Sequence, residues 1–143
     1  TWNRMNAACP KGKCKVGAIL NGNDLTGWTW AGFGEVAALY NSFGIQPPLP
    51  TDVPGKSVQL GSQWAPDIYD MGRFRPTLAD TVFRTIYIML PLDGAGLIAA
   101  GDYAYLQDFF QPGEYDYAGT NNSGNSTDGE YPAVGMLLHR PIP

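Results

Sequence analysis

The stretch Leu25–Gly44 constrains the fold of this chain more than any other, because it joins a short strand to a helix through a tight turn. Trp28 and Trp30 are two residues apart, so an extended backbone points both indoles to the same face. Gly32 and Gly34 then interrupt the extended segment. The stretch therefore predicts a strand, a turn and a helix packed together.

The helix is predicted by apolar side chains at helical spacing, namely Val36, Leu39, Tyr40 and Phe43. Glu35 lies in the first turn, where a carboxylate suits the helix dipole. Gly44 is suited to a left-handed C-cap, and the prolines at 47 and 48 cannot continue the helix. We expect Trp28 to be buried in one core with Leu39 and Phe43.

Composition indicates one domain, because 143 residues suffice for a single hydrophobic core. The 18 glycines and 12 prolines, with 15% charged residues, favour a loop-rich fold that leans toward β-structure. A net charge of −4 argues against a nucleic-acid partner. No apolar run reaches the roughly 20 residues of a membrane span, and without a starting Met the chain reads as mature or trimmed.

The charges are unevenly distributed along the chain. Four basic residues precede any acid, and no base lies between Arg84 and Arg140, where seven acids are found. One interpretation is an ordinary solvated surface. The other is complementarity between the basic and acidic parts of neighbouring copies.

Cys9 and Cys14 are the only cysteines, and the residues between them include a proline and a glycine. A metal site needs further ligands, and the chain has one histidine. The spacing is not that of a Cys-x-x-Cys redox pair. We therefore predict a structural Cys9–Cys14 disulfide and an oxidising, extracellular compartment. So small a loop contributes roughly 2 kcal/mol on the chain-entropy model.

Four segments have the composition of strands. Val82–Leu90 is the strongest, since it is rich in β-branched and aromatic residues. Tyr103–Phe110 alternates in part, with Tyr103 and Tyr105 on one face. Val16–Leu20 and Ala133–Leu138 complete a predicted antiparallel sheet.

The segment Gly119–Gly129 is polar, so we expect an exposed loop. Its two Asn-x-Ser/Thr patterns make Asn121 and Asn125 candidate glycosylation sites. Its oxygen-rich side chains leave a calcium site open as an alternative, although the spacing does not match an EF-hand.

Catalytic signals are weak. Glu114 and Asp116 have the residue types for acid–base work on a sugar, but surface acids are the simpler interpretation. His139 has no indicated nucleophile partner, and no phosphate-binding loop or nucleophile elbow is present. We expect no enzyme activity, no cofactor and no metal. The remaining functional signal is aromatic: Trp28, Trp30 and Trp64 suit sugar stacking, or else the core.

Several stretches together resemble PEP-CTERM-type bacterial surface proteins and, more remotely, the Lcl C-terminal domain. They are the opening 1–10, Leu25–Trp30, Glu35–Leu39, Phe83–Thr85 and Ala133–Leu138. The resemblance covers most of the chain and implies secretion to the cell surface. Its remote part implies a C-type-lectin-like fold, with two helices and a short twisted sheet.

The sequence thus predicts a single loop-rich α+β domain with an antiparallel sheet and one or two helices. The function we expect is that of a non-enzymatic extracellular structural protein. Its expected partners are other copies of itself, assembled head to tail into a filament, and extracellular polysaccharide. A carbohydrate-binding, lectin-like module is the alternative. The residues expected to self-associate are Thr1, Trp2, Asn3, Arg4 and Met5, because Trp2 is too apolar for a free end.

Overall fold

The computed structural model describes residues 1–44, 47–54, 57–60, 69, 75–110, 115–123 and 125–142, and of 57–60 the backbone alone. Trp64 and Glu114 lie outside the described residues. The helices are α1 (Trp2–Ala8) and α2 (Phe33–Asn41), with a short 3-10 turn at Pro10–Gly12. The strands are β1 (Ile19–Leu20), β2 (Asn23–Asp24), β3 (Thr29–Trp30), β4 (Ser57–Leu60), β5 (Leu78–Ala79), β6 (Phe83–Met89), β7 (Tyr103–Phe109), β8 (Asp116–Asn122) and β9 (Leu138–His139).

The main sheet has five strands in the order β4-β8-β7-β6-β5, and every neighbouring pair is antiparallel. β1 pairs with β2 in a hairpin, and β3 pairs with β9. The predicted α+β class is confirmed. The long predicted strands at 82–90 and 103–110 are confirmed as β6 and β7.

α2 packs on one face of this sheet and forms the larger core. Val36, Ala37 and Tyr40 are fully buried on the helix, and they join Ile88 and Leu106 from the sheet. The N-terminus of α2 is fixed by Glu35, whose carboxylate accepts from the Gly32 amide at 3.1 Å. We call this side of the sheet the covered face.

A second core lies under α1, a helix that the sequence analysis did not predict. Thr1 caps it, because its hydroxyl accepts from the Arg4 amide at 3.2 Å. Trp2 and Met5 are buried beside Cys9, and the Trp2 ring meets Trp30 edge to face at 6.1 Å. The described residues therefore form two cores where the sequence suggested one.

The prediction that Trp28 is buried with Leu39 and Phe43 was wrong. Trp28 is half-buried and immediately precedes β3, and the Arg140 guanidinium lies 4.6 Å from its ring centre. Trp30 takes the buried position instead, with 1% of its surface exposed, and it enters the core under α1. The two indoles differ in burial because only Trp30 packs against α1.

Two predicted strands are shorter in the structure. Of Val16–Leu20 only β1 is a strand, because the preceding residues form a turn closed by the Ala18 amide and the Lys15 carbonyl at 3.1 Å. Of Ala133–Leu138 only Leu138 belongs to β9, although Gly135 makes an isolated bridge to Ile88. Conversely, the first residues of the predicted loop at 119–129, up to Asn122, belong to β8.

Candidate functional site

The face of the sheet turned away from α2 carries the clearest functional signal. Along β7 the burial alternates strictly: Ala104, Leu106 and Asp108 are buried, whereas the odd-numbered residues are half-buried. An antiparallel sheet of a soluble domain usually places polar side chains on its open face. Here that face is aromatic instead.

The strand register brings six aromatic rings together from β6, β7 and β8. Phe83 lies opposite Phe109, Tyr87 lies opposite Tyr105, and Gln107 lies opposite both Thr85 and Tyr117. Residues directly opposite each other share a face of the sheet. We call the resulting surface the aromatic face; it consists of Phe83, Tyr87, Tyr103, Tyr105, Phe109 and Tyr117.

Ring–ring contacts fix the geometry of the aromatic face. Phe83 and Phe109 are stacked, with centroids 5.3 Å apart and planes 22° apart. Tyr87 meets Tyr103 edge to face at 5.3 Å, and Phe109 meets Tyr117 edge to face at 6.2 Å. These are the favourable arrangements for aromatic pairs, so the rings form an ordered surface.

Gly119 makes room for one of these rings. A Cβ placed on this residue would lie 2.5 Å from Cζ of Tyr105, so the ring lies directly over the glycine backbone. Any other residue at this position of β8 would displace the ring. The glycine is therefore part of the surface, because it sets the height of Tyr105 above the sheet.

The aromatic face is polar without being charged. The charged side chains of β6, β7 and β8 are Arg84, Asp108 and Asp116, and all three lie on the covered face. Partial burial raises the pKa of Tyr103, and the neighbouring Tyr87 and Tyr105 add to the effect. The Tyr103 phenol is therefore a neutral hydrogen-bond donor and acceptor at ordinary pH.

Aromatic rings with hydroxyl groups at their edges suit a ligand that has both apolar faces and polar edges. Their faces offer apolar area for stacking, and the phenols and the Gln107 amide offer hydrogen bonds. A contiguous half-exposed patch of this kind is typical of an interaction site.

The disulfide prediction is confirmed, since Cys9 and Cys14 are bonded with an Sγ–Sγ distance of 2.02 Å. Cys9 is fully buried in the core under α1. The bond therefore fixes the chain between α1 and the β1–β2 hairpin.

The segment Thr1–Met5 contacts its own chain. Trp2 is 4% exposed, and its indole Nε1 donates to the Leu90 carbonyl at 2.8 Å. The Asn3 amide donates to the Thr127 carbonyl at 2.9 Å. The argument that Trp2 needs a neighbouring copy was therefore wrong, because the indole is already covered. Self-association by these residues stays a prediction without that support.

The two candidate glycosylation sites do not lie in a fully exposed loop. Asn121 is the penultimate residue of β8 and is half-buried. The Nδ2 atom of Asn125, to which a glycan would be attached, is buried. The expectation of an exposed segment was wrong at these positions, because 125–131 folds back onto α1 and Gly101. Glycosylation itself stays a prediction.

Acids of the C-terminal half are less exposed than the sequence suggested. Asp102, Asp108 and Asp116 are buried, so the interpretation of Asp116 as a surface acid was wrong. Asp116 accepts from the Phe109 amide at 2.9 Å, and Asp108 pairs with Arg84 at 2.6 Å. They act within the fold, which weakens the idea of an acidic surface that attracts a basic neighbour.

His139 lies at the surface, where its Nε2 is 2.8 Å from Glu35 Oε2. This contact ties β9 to the first turn of α2. No group of three or more metal-ligating side chains occurs among the described residues. Within the same part of the chain, none of the helices has the length and apolar character needed to cross a bilayer.

Comparisons with known proteins found no matching family model, no matching curated protein and no matching solved structure. The chain's own geometry therefore carries the functional argument.

Most of the aromatic face was missed by sequence reasoning. The shared face of Tyr103 and Tyr105 was visible in the alternation of β7, but Phe83, Phe109 and Tyr117 were not connected to it. The only signal in the sequence was an incomplete alternation of side chains, with a period of two residues, along each strand. Register is set by pairing across the sheet, and this pairing is not written in any one strand.

Proposed function

We propose that this protein is a non-enzymatic extracellular module that binds polysaccharide by stacking sugar rings on the aromatic face. The observation that carries the proposal is the ordered set of six half-buried rings on an uncharged open face of the sheet. Sugar rings present flat apolar C–H surfaces, which pack well on aromatic rings, and hydroxyl edges, which bond to phenols and amides.

The extracellular location is part of the proposal. The Cys9–Cys14 disulfide supports it, because such bonds persist in oxidising compartments. The resemblance to secreted surface proteins and to a lectin-like domain points in the same direction. A polysaccharide of the cell surface or matrix is then the ligand that such a module would meet.

The test is affinity electrophoresis in gels that contain neutral or acidic polysaccharides, followed by calorimetry with the best ligand. We expect a Tyr87→Ala, Tyr103→Ala double variant to bind at least tenfold more weakly, since stacked aromatic anchors dominate such surfaces. Tyr131→Ala is the matched control, because Tyr131 is a tyrosine that is 37% exposed and does not belong to the aromatic face.

A protein retarded by none of the polysaccharides, or a double variant that binds as well as the control, would contradict the proposal. The non-enzymatic part is tested separately by measuring new reducing ends after long incubation with the bound polysaccharide. Release of such ends that persists in purified protein would show hydrolysis instead of binding.

A second candidate function is structural, as an extracellular protein that self-associates. The same aromatic face favours it, because a second copy could cover the rings with its own. Such a face-to-face contact would be two-fold and closed, whereas the predicted head-to-tail contact through Thr1–Met5 would extend into a filament. Light scattering at increasing concentration, with the Tyr87→Ala, Tyr103→Ala variant and a chain lacking Thr1–Met5, separates the two assemblies.

A further inference from the structure

A second surface, far from the aromatic face in the sequence, exposes aliphatic side chains at a turn. The turn Lys15–Ala18 is closed by a backbone hydrogen bond of 3.1 Å, and Gly17 adopts the positive φ of 78° that it requires. Val16 stands at its tip with 90% of its surface exposed, and Ile19 follows with 60%. Two branched aliphatic side chains are therefore exposed within four residues of the chain.

The turn is held in a fixed position by its surroundings. The Gly17 amide donates to the Thr26 hydroxyl at 2.8 Å, and the Lys15 amide donates to the Ala8 carbonyl at 2.9 Å. The adjacent disulfide joins the preceding residues to α1. Exposure of Val16 is therefore a built feature of a rigid turn, because three connections hold it outward.

Positive charge surrounds these aliphatic side chains. An open groove of about 430 Å³ between α1 and the turn is lined by Arg4 and Lys15 together with Val16, Ile19, Leu20 and small residues. Lys11 and Lys13 are exposed on the neighbouring disulfide loop. Asp24, the first acid of the chain, lies directly opposite Ile19 in the β1–β2 hairpin, and its carboxylate accepts from the Thr26 amide at 2.9 Å. We call Arg4, Lys15, Val16 and Ile19 the cationic tip.

We propose that the cationic tip docks this protein onto an anionic lipid bilayer, with Val16 and Ile19 entering the interface and Arg4 and Lys15 contacting the headgroups. Aliphatic side chains beside cations match the layered chemistry of a bilayer surface, which is apolar inside and anionic outside. This inference concerns a different surface from the proposed polysaccharide site and does not depend on it.

Other partners fit the tip less well. Sugar rings stack on flat aromatic side chains, and the tip has none. A second copy docked tip to tip would bring the same positive charge and be repelled. The combination of aliphatic exposure and positive charge is thus best matched by lipid.

Co-sedimentation with vesicles tests the proposal directly. The probes are vesicles of equal parts phosphatidylglycerol and phosphatidylcholine, and vesicles of phosphatidylcholine alone. We expect binding to the first and much weaker binding to the second, with affinity falling as salt is raised. Lys15→Gln should weaken binding about fivefold, the effect of one cation near an anionic surface. Val16→Asp should weaken it by tenfold or more.

Val53→Asp is the matched control, because Val53 is also exposed, at 45%, but lies in the 47–54 segment. It should bind vesicles as the wild type does. Both aspartate variants should keep the wild-type melting temperature and the wild-type polysaccharide affinity, which separates this proposal from the first. Equal binding to neutral vesicles, unchanged binding of Val16→Asp, or a dimer that Val16→Asp dissociates in place of vesicle binding would overturn the proposal.

Discussion

The two faces of the five-stranded sheet are built from the same strands and have opposite properties. The covered face holds Ile86, Ile88, Leu106 and Ala118 under α2, together with the Arg84–Asp108 ion pair. The aromatic face holds six rings, none of which is fully buried. One face is closed by the chain's own helix, and the other presents apolar area to the outside.

This difference separates stability from function within one sheet. Side chains of the covered face have their partners inside the molecule, so changes there act on folding. Rings of the aromatic face contact one another and retain exposed surface, so changes there should act mainly on binding. The following variants test that division, from the largest expected effect to the smallest.

Breaking the ion pair of the covered face should have the largest effect. Arg84 Nε lies 2.6 Å from Asp108 Oδ2, and the Asp108 side chain is 4% exposed. Arg84→Met leaves that carboxylate buried without its cation, so the free energy of unfolding should fall by about 3–5 kcal/mol. Urea denaturation at neutral pH measures the change.

The double variant Arg84→Met, Asp108→Leu is the control for this experiment. It removes both charges, so most of the lost stability should return. A double variant as unstable as Arg84→Met alone would show that the loss came from the stacking of Arg84 on Tyr69, whose ring centre is 4.3 Å away, and not from the unpaired carboxylate.

Two adjacent residues of β7 compare the faces directly. Leu106 is fully buried on the covered face, and Gln107 is half-buried on the aromatic face. Leu106→Ala should cost about 2–5 kcal/mol of unfolding free energy through lost burial and a new cavity. Gln107→Ala should cost less than about 1 kcal/mol. Equal losses in urea denaturation would mean that both faces are core.

Alkaline pH should destabilise the fold through the tyrosines near the covered face. Burial raises the pKa values of Tyr40 and Tyr69 above the usual value for a phenol. Unfolded tyrosines ionise near pH 10, so neither residue makes stability pH-dependent below that value. At higher pH the unfolded state loses protons that the folded state keeps, and stability falls by up to about 1.4 kcal/mol per pH unit for each tyrosine.

Urea denaturation at several pH values above and below about 10 measures this slope. Tyr40→Phe should make the slope shallower, because phenylalanine cannot ionise. A slope that Tyr40→Phe leaves unchanged would show that other groups cause the alkaline loss.

A small effect on stability is also expected at Gly119. A new Cβ in Gly119→Ala would force the Tyr105 ring away from the strand, at a cost of about 1 kcal/mol. Affinity for polysaccharide should nevertheless fall, because the height of one ring changes. Gly22→Ala at the tip of the β1–β2 hairpin is the control. Its new Cβ would contact no other atom, so the only strain comes from the positive φ of 77° at this residue. The Gly22→Ala protein should lose stability and keep its affinity for polysaccharide. A Gly119→Ala protein of unchanged affinity would argue against the role of Tyr105.

Local signals in the sequence determined a substantial part of this protein. The helical spacing of Val36 and Tyr40 placed α2, and the β-branched and aromatic run at 82–90 placed β6. The short Cys9–Cys14 spacing determined the disulfide. In each case the information lies within a few neighbouring residues, so it can be read without knowledge of the fold.

Tertiary structure alone decided which apolar residues are core and which are surface. Trp28 and Trp30 have the same local pattern, but only Trp30 is reached by α1 and Met89. In the sequence Asp116 resembles a surface acid, but in the structure its carboxylate accepts a hydrogen bond from the Phe109 amide of β7. The aromatic face likewise exists only once the register of β6, β7 and β8 is set, because contacts between strands depend on residues distant in the chain.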